Sequence, residues 1–415
     1  MNRPGAGHID ALTGVRAYAA LFVLAFHAWL NAGHPALPVA LGRFAVDLSP
    51  YAKFGWIGVD MFFVLSGFLL TRVALDRGER AATAGDAAKA SGWANESYGS
   101  FLTRRILRVF PAYYACISVL LVLALAGIYR EFPGTLDMAI HVVMSHNLVE
   151  KYITSMNGVF WTLPFEWHFY LVFPLLFMFQ ARAGAVTLYA CAVAVVLLTK
   201  AQVMITDDGF GQTLVLIRLD AFCAGMAAAA ITAKHPLERR AARVSALAGV
   251  LLLAAVPWVF ANQPGVVHYY DVGGFLRPFW MHLGICLVLC ALTAGRTAFV
   301  GLFDHPFVVW LGTISYSIYL WHLPVVELLA TRVLGTAARP PSASGYLVLL
   351  AATVAIVVPL SMLSYSMVER PFLDARARQR EGRGSRWAMD PLLALIVWGA
   401  ALLAVTAVLN LIRRP

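Results

Sequence analysis

The chain has 415 residues, of which 60% are hydrophobic and 13% are charged, and its formal net charge is +10. Soluble domains carry about 25% charged residues, so this composition excludes an ordinary soluble domain. The mean hydropathy of +0.73 and the long apolar blocks favour a polytopic membrane protein. The five cysteines all fall inside these blocks. This is typical of small buried side chains and predicts neither a disulfide framework nor a metal centre.

Eleven apolar blocks are long enough to cross a bilayer, because a membrane-spanning helix needs about 20 predominantly apolar residues. We therefore predict an all-α bundle of about 10–11 transmembrane helices. Residues 1–373 are expected to form one transmembrane domain, 374–387 a basic linker and 388–415 an additional span. In chain order, the predicted spans are 12–30, 54–74, 109–129, 162–180, 184–204, 213–233, 244–261, 275–294, 306–330, 345–367 and 389–412.

Basic residues are concentrated in alternate segments between the spans. The segments 72–108, 234–243 and 370–386 are rich in arginine and lysine, whereas the intervening segments carry few basic residues. Basic loops tend to stay in the cytoplasm, so the N-terminus and these three segments are predicted to be cytoplasmic. This topology explains the positive charge. The charge therefore indicates contact with anionic membrane lipids or a phosphorylated ligand, and it does not indicate nucleic-acid binding.

The first span, LTGVRAYAALFVLAFHAWL, contains two ionisable residues, Arg16 and His27. Their separation corresponds to about three helical turns, so both side chains lie on one helix face, roughly 16 Å apart along the axis. Ionisable groups at membrane depth are costly and indicate a functional site. The alternative is that Arg16 extends to the interface as an anchor and His27 is a packed polar residue.

Three other spans contain charged residues. Asp60, near the outer end of the second span, is interpreted as a residue that caps or orients a helix, with substrate binding as the alternative. Glu166 follows a proline in the fourth span and is suited to hold a catalytic imidazole, bind a sugar hydroxyl or pair with an arginine. Arg218 in the sixth span needs an anionic partner, for which Asp220, Glu166 or a bound anionic ligand are candidates.

The last two spans of the predicted domain also contain polar positions. Tyr316, Tyr319 and His322 recur at three-residue steps and form a polar stripe on one face of the ninth span. Glu369 lies at the predicted cytoplasmic end of the tenth span, and Pro371 is expected to end that helix. The external segment 130–160 is the longest outside the membrane and is suited to cover a site.

Seven of these segments, taken in order, resemble the acyltransferase family 3 membrane proteins over residues 8–373. The first span matches that family's motif of an arginine, ten residues and a histidine. In the WTLPFEWHFY segment, Thr162 replaces the usual serine and keeps its hydroxyl group. The other matching segments are GVDMFFVLSGFLL, RRILRVFPAYY, RLDAFCAG, ISYSIYLWH and SYSMVERP. Each motif is weak alone, but seven in the family's order identify the chain as similar to this family.

The resemblance implies transfer of an acyl group, commonly acetyl from acetyl-CoA, to a hydroxyl of a cell-surface carbohydrate or a glycosylated small molecule. It also implies the bacterial inner membrane. Such a transfer needs a base, a bound thioester and stabilisation of the oxyanion. His27 is the expected base or covalent acyl carrier, because imidazole titrates nearest to neutral pH. Further expected roles are catalysis for Glu166, binding of the acyl-CoA phosphates for Arg16, Arg104, Arg105 and Arg108, and binding of the acceptor for Asp60, Arg218, Tyr319 and His322.

Two other classes of membrane protein fit the same residues. A transporter or flippase of a glycan or glycolipid also buries Arg, His, Asp and Glu, and it moves its substrate without an acyl donor. A receptor-like or scaffolding protein uses these groups only to hold helices together. Binding of acyl-CoA distinguishes the enzyme from both alternatives, because a bound ligand raises the thermal stability of the protein.

Overall fold

The computed structural model describes residues 10–83, 97–206, 215–260, 272–295, 298–335, 339–380 and 389–413. Helices dominate this part of the chain. They are α1 Asp10–Asn31, α2 Ser49–Lys53, α3 Ile57–Thr83, α4 Tyr98–Leu125, α5 Thr135–Val142, α6 Thr162–Ala183, α7 Ala185–Thr206, α8 Leu219–Lys234, α9 Arg239–Phe260, α10 Val272–Leu292, α11 Ala298–Gly301, α12 Pro306–Thr313, α13 Ser315–Leu328, α14 Ala343–Ser364, α15 Arg370–Arg380 and α16 Pro391–Ile412. A short antiparallel hairpin joins β1 Pro38–Leu41 to β2 Phe44–Asp47.

Among the described residues, nine helices are long and apolar enough to cross a membrane, and α10 adds the shorter apolar stretch Pro278–Leu292. The prediction of an all-α polytopic membrane bundle is therefore confirmed. About 78% of the apolar stretch of α8 is buried inside the protein, whereas 22% of that of α16 is buried. The first of these helices consequently lies in the centre of the bundle, and the last lies at its lipid-facing edge.

Small residues bring the central helices into backbone contact. A Cβ atom added to Gly67 on α3 would overlap the carbonyl oxygen of Phe222 on α8, and one added to Gly225 on α8 would overlap that of Val64 on α3. Such close approach is a common device of membrane helices, because small residues allow extensive packing. The contact fixes the rotation of α3, and Ser66, the residue before Gly67, therefore projects about 100° away around the helix axis.

Two predicted helix boundaries were wrong. The span predicted at 306–330 is divided at Ile314 into α12 and α13, and the Ser315 hydroxyl donates to the Gly312 carbonyl oxygen at the break. Pro371 does not end a helix, because α14 passes through the π turn Tyr365–Glu369 into α15, which continues to Arg380. The proline directly follows the π turn, where the regular hydrogen-bond pattern of the α-helix is already interrupted, so its missing N–H group is tolerated. The first part of the predicted linker 374–387 is therefore helical.

The segment between α4 and α6 is folded. It contains α5 and the 3₁₀ turns His146–Leu148 and Glu150–Tyr152. We call residues 130–161 the cap. Helix α3 extends into the basic segment 72–108 as far as Thr83, and residues 84–96 lie outside the described part of the chain.

Candidate active site

Two histidines from different helices meet inside the bundle. Nε2 of His322 on α13 lies 3.1 Å from Nδ1 of His27 on α1, and the ring centroids are 5.0 Å apart. Nδ1 of His322 lies 2.7 Å from the Tyr319 carbonyl oxygen, and Nδ1 of His27 lies 3.0 Å from the Val23 carbonyl oxygen. Each carbonyl belongs to the preceding turn of the same helix, so each helix orients its own histidine.

The partners of the ring nitrogens determine which of them carry hydrogens. A carbonyl oxygen only accepts, so Nδ1 of His322 carries a hydrogen and Nε2 of the neutral ring is an acceptor. Nδ1–H of His27 then donates to the Val23 carbonyl oxygen and to Nε2 of His322. This tautomer leaves a lone pair on Nε2 of His27, which is half-buried, whereas His322 is 0% exposed. A directed lone pair is what a general base or a nucleophile needs.

A small cavity of about 30 Å³ lies beside Arg16, at one end of the α1 face that carries Arg16 and His27. The volume suffices for about one water molecule. Arg16, Glu166 and Tyr319 all line it, so the structure brings together three of the predicted site residues. The remaining lining residues are Val59, Phe62, Phe63, Thr162, Leu163 and Tyr316.

Two hydroxyl groups hold Glu166. The Ser66 hydroxyl on α3 donates to Oε1 at 2.7 Å, and the Tyr170 hydroxyl, one turn further along α6, donates to the same oxygen. Arg16 and Arg105 lie within electrostatic range of this carboxylate. The structure thus places Glu166 with the arginines, and the histidine pair has other hydrogen-bond partners.

Tyr319 connects the cavity to the histidine pair. Its hydroxyl lies 2.9 Å from the Val159 carbonyl oxygen and 2.6 Å from Oγ1 of Thr162, which itself lies 3.3 Å from the same carbonyl oxygen, so the two hydroxyls share this acceptor and bond each other. Its carbonyl oxygen accepts from His322, and its side chain lines the same cavity as Arg16. Thr162 thus uses its hydroxyl to fix the side chain that joins the two ends of the site.

Arginines from α4 approach the Arg16 end of the site. Arg108 and Arg105 both lie within electrostatic range of Arg16, and the Arg105 guanidinium lies 5.5 Å from the centroid of the Tyr170 ring. Nε of Arg16 and Nε of Arg105 are buried without a hydrogen-bond partner among the described residues. Arg104 is one position away on α4, so it projects about 100° from Arg105 around the helix axis.

Asp60 and Arg218 are partners of each other. Nη1 of Arg218 lies 3.1 Å from Oδ1 of Asp60, and both side chains are buried. The Arg218 guanidinium also lies 5.8 Å from the Trp161 ring centroid, at the start of α6. The ring of His282 lies between two carboxylates, 3.7 Å from Asp60 and 3.7 Å from Asp220. These buried charges therefore connect α3, α8 and α10 to the helix that carries Glu166.

The sequence left two buried residues without a role. His282 was not singled out, and Glu369 was expected only to mark the cytoplasmic end of its span. His282 is 0% exposed in α10, and Glu369 is 1% exposed. His282 could have been found by the rule that singled out His27, because it is an ionisable residue inside an apolar block. Glu369 gave no such indication, since it lies at the end of its span among charged residues.

Comparisons with known proteins agree with the sequence motifs. Residues 9–366 match the sequence model of a family described as an acyltransferase domain. The chain is 26% identical over 347 residues to the peptidoglycan O-acetyltransferase OatA of Listeria monocytogenes, and the match covers 77% of this chain and 50% of that protein. It is 28% identical over 342 residues to the exopolysaccharide production protein ExoZ of Rhizobium meliloti, covering 80% of this chain and 92% of that protein.

A third relative is nodulation protein 10 of Rhizobium leguminosarum, with 27% identity over 213 residues, 46% of this chain and 51% of that protein. This chain thus spans about half the length of the Listeria relative and most of the length of the Rhizobium meliloti relative. No solved structure matches it significantly.

Proposed function

The chain belongs to the acyltransferase 3 family, and from this premise we propose that it is a membrane-embedded O-acyltransferase. It moves an acyl group, acetyl in the simplest case, from acyl-CoA to a hydroxyl group of a carbohydrate or glycoside. The observation that carries the proposal is the lone pair on Nε2 of His27, at one end of a helix face whose other end is Arg16. The names of the relatives, which refer to peptidoglycan O-acetylation and exopolysaccharide production, support a carbohydrate acceptor.

The donor binds at the Arg16 end. Arg16, Arg105 and Arg108 lie close together, and guanidinium groups are well suited to the phosphates of acyl-CoA. We propose that Arg104 adds charge at the entrance. We propose that this end faces the cytoplasm, because the basic segments lie on the same side, and that the membrane is a bacterial inner membrane. The cavity beside Arg16 has a volume of only about 30 Å³, so donor binding must separate its lining side chains.

The reaction proceeds at Nε2 of His27. The acceptor hydroxyl gives its proton to this nitrogen while its oxygen attacks the thioester carbonyl carbon. The new bond joins the acceptor oxygen to the acyl carbon, the carbon–sulfur bond breaks, and the proton passes from Nε2 to the leaving thiolate. His322 accepts from Nδ1–H throughout and holds the ring in the required tautomer. No other reactant is needed to balance the step.

The other residues hold this geometry. Glu166 lies beside Arg16 and is proposed to orient it, and Tyr319 is proposed to position His322. The Asp60–Arg218 pair contacts Trp161 through Arg218 and is proposed to brace the start of α6. In this proposal residues 1–373 form the catalytic domain, and the apolar helix α16 is an additional membrane span.

Radiolabelled acetyl-CoA tests the proposal with the purified chain in lipid vesicles. We expect labelled acetate on an added glycoside, and surface glycans of cells that express the chain should gain acetyl groups. Movement of the glycoside across the membrane without an acyl donor would instead identify a transporter. Label retained on His27 after removal of free donor would replace the base mechanism with a covalent acyl-histidine route.

A further inference from the structure

Glu369 is a buried carboxylate close to the proposed donor site. It is 1% exposed and lies in the π-helical turn Tyr365–Glu369, between α14 and α15. The Ser317 hydroxyl on α13 donates to its Oε1 at 2.6 Å. Oγ of Ser364 lies 2.9 Å from Oγ of Ser317 and donates to it, because the Ser317 hydrogen is used by the carboxylate. The two serines therefore fix the position of one carboxylate oxygen.

The π turn explains how this charge enters the bundle. A π turn contains one residue more than an α-helical turn, so it rotates the following residues by about 100° around the helix axis. Such turns are frequent at functional sites. Here the turn places Glu369 inside the protein, while Arg370, the next residue, is exposed.

The second carboxylate oxygen points to a role beyond packing. Oε2 of Glu369 is buried and has no hydrogen-bond partner among the described residues. A buried carboxylate oxygen without a partner is costly unless positive charge compensates it. The cations within electrostatic range are Arg108, which is the stronger neighbour, and Arg16.

Charges of both signs surround Arg16. Glu166 and Glu369 both lie within electrostatic range of Arg16, whereas Arg105 and Arg108 approach it from α4. Three guanidinium groups against two carboxylates leave one surplus positive charge. This surplus positive charge attracts an anionic donor. The two carboxylates reduce the repulsion between the guanidinium groups, so that the arginines can lie close together.

We propose that Glu369 is a positioning residue that holds Arg108, and secondarily Arg16, in the orientation that binds the phosphates of acyl-CoA. The inference rests on the proposed function. Glu369 itself does not contact the phosphates, because two anions repel each other. Its effect is carried by the arginines and is therefore confined to donors that carry phosphate groups.

Two donors test this role. Glu369→Gln removes the charge and keeps an oxygen that accepts from Ser317. With acetyl-CoA, KM should rise about 10- to 100-fold with kcat changed less than about twofold, because the arginines that bind the phosphates lose the charge that orients them. With acetyl-N-acetylcysteamine, a thioester without phosphates, the variant and the wild type should have the same kcat/KM. Ser317→Ala keeps the charge but frees the carboxylate, so it should show a smaller rise in KM with the same dependence on the donor.

Other outcomes overturn the proposal. Equal losses with both donors would assign Glu369 to folding alone, and an unchanged KM for acetyl-CoA would remove it from the donor site. Direct binding of labelled acetyl-CoA separates these results from a failure of the proposed function. A wild type that binds acetyl-CoA without turnover still permits the comparison of Kd with Glu369→Gln. A wild type that does not bind it rejects both proposals.

Discussion

Two pairs of contacting histidines occur in the described part of the chain, one inside the bundle and one in the cap. The rings of His27 and His322 have centroids 5.0 Å apart, and those of His141 and His146 are stacked at 4.0 Å. Contact and burial alone do not distinguish the pairs. The hydrogen-bond partners of each nitrogen do, because they determine whether a lone pair is left and whether another molecule reaches it.

In the cap, both nitrogens of His141 are engaged. Nδ1 lies 2.8 Å from the Tyr113 hydroxyl, and Nε2 lies 3.0 Å from the Ser155 hydroxyl, which in turn donates to Asp137 at 2.8 Å. Nε2 of His146 donates to the Phe160 carbonyl oxygen. The side chain of His146 is 0% exposed, so its Nδ1 is closed off from solvent. The nitrogens of the cap pair are therefore bonded or enclosed within the protein, whereas His27 is half-buried and keeps the Nε2 lone pair of the tautomer described above.

The strongest test of this contrast removes one imidazole group from each pair. His27→Ala should lower acyl transfer by about 10²–10⁴-fold, because no other group takes the hydroxyl proton. The variant should still insert into the membrane and bind acetyl-CoA. His146→Phe is the matched control, since it keeps an aromatic ring in the cap, and its activity should stay within about threefold of the wild type in the same assay. Retained transfer by His27→Ala would remove that residue from the chemistry.

His322 distinguishes orientation from substrate binding. His322→Phe keeps an aromatic ring but removes one of the two acceptors for Nδ1–H of His27, so kcat should fall about 100-fold because the His27 ring is less firmly oriented and its imidazolium form is less well stabilised. KM for the acceptor should not change. If KM for the acceptor rises and kcat is preserved, His322 binds the substrate, as the sequence motifs suggested. Steady-state kinetics with a soluble glycoside measures both quantities.

The sequence predicted the helices better than the contacts between them. Apolar blocks define where helices cross the membrane, and the three-turn spacing correctly placed Arg16 and His27 on one face. It did not reveal that His27 meets His322, because 295 positions separate them and tertiary packing alone determines that contact. The same reason explains Glu166, whose donor Ser66 lies on another helix. The apolar periodicity of the sequence does not indicate the π turn that buries Glu369.

Acid should destabilise the folded protein through the two buried histidines of the cap. Burial lowers the pKa of His146 from 6.5 to about 4, and burial followed by the neighbouring His146 lowers the pKa of His141 well below its usual value. The unfolded chain binds more protons than the folded chain in this range. Stability is therefore complete above pH 6.5 and falls as the pH approaches about 4, by at most about 1.4 kcal/mol per pH unit for each histidine.

Asp137 opposes this trend, because burial raises the pKa of its carboxyl group. Its protonation adds stability as the pH falls, so the net loss should be smaller than two histidines alone would give. Thermal unfolding of the purified protein between pH 7.5 and 4 measures the sum. His146→Phe should flatten the curve, and a curve as steep as that of the wild type would show that another group controls the acid response.

The smallest expected effect tests whether the cap pair is only structural. Tyr113→Phe removes the hydroxyl that bonds His141 and should lower stability by about 1–3 kcal/mol, because the buried Nδ1 loses its partner. Acyl transfer per folded molecule should not change, since neither ring of the cap pair presents a nitrogen to a substrate. A selective loss of kcat at unchanged unfolding temperature would mean that the cap communicates with the site. The two histidine pairs would then be parts of one functional unit. The hydrogen-bond partners of the ring nitrogens would no longer be enough to distinguish a catalytic histidine from a structural one.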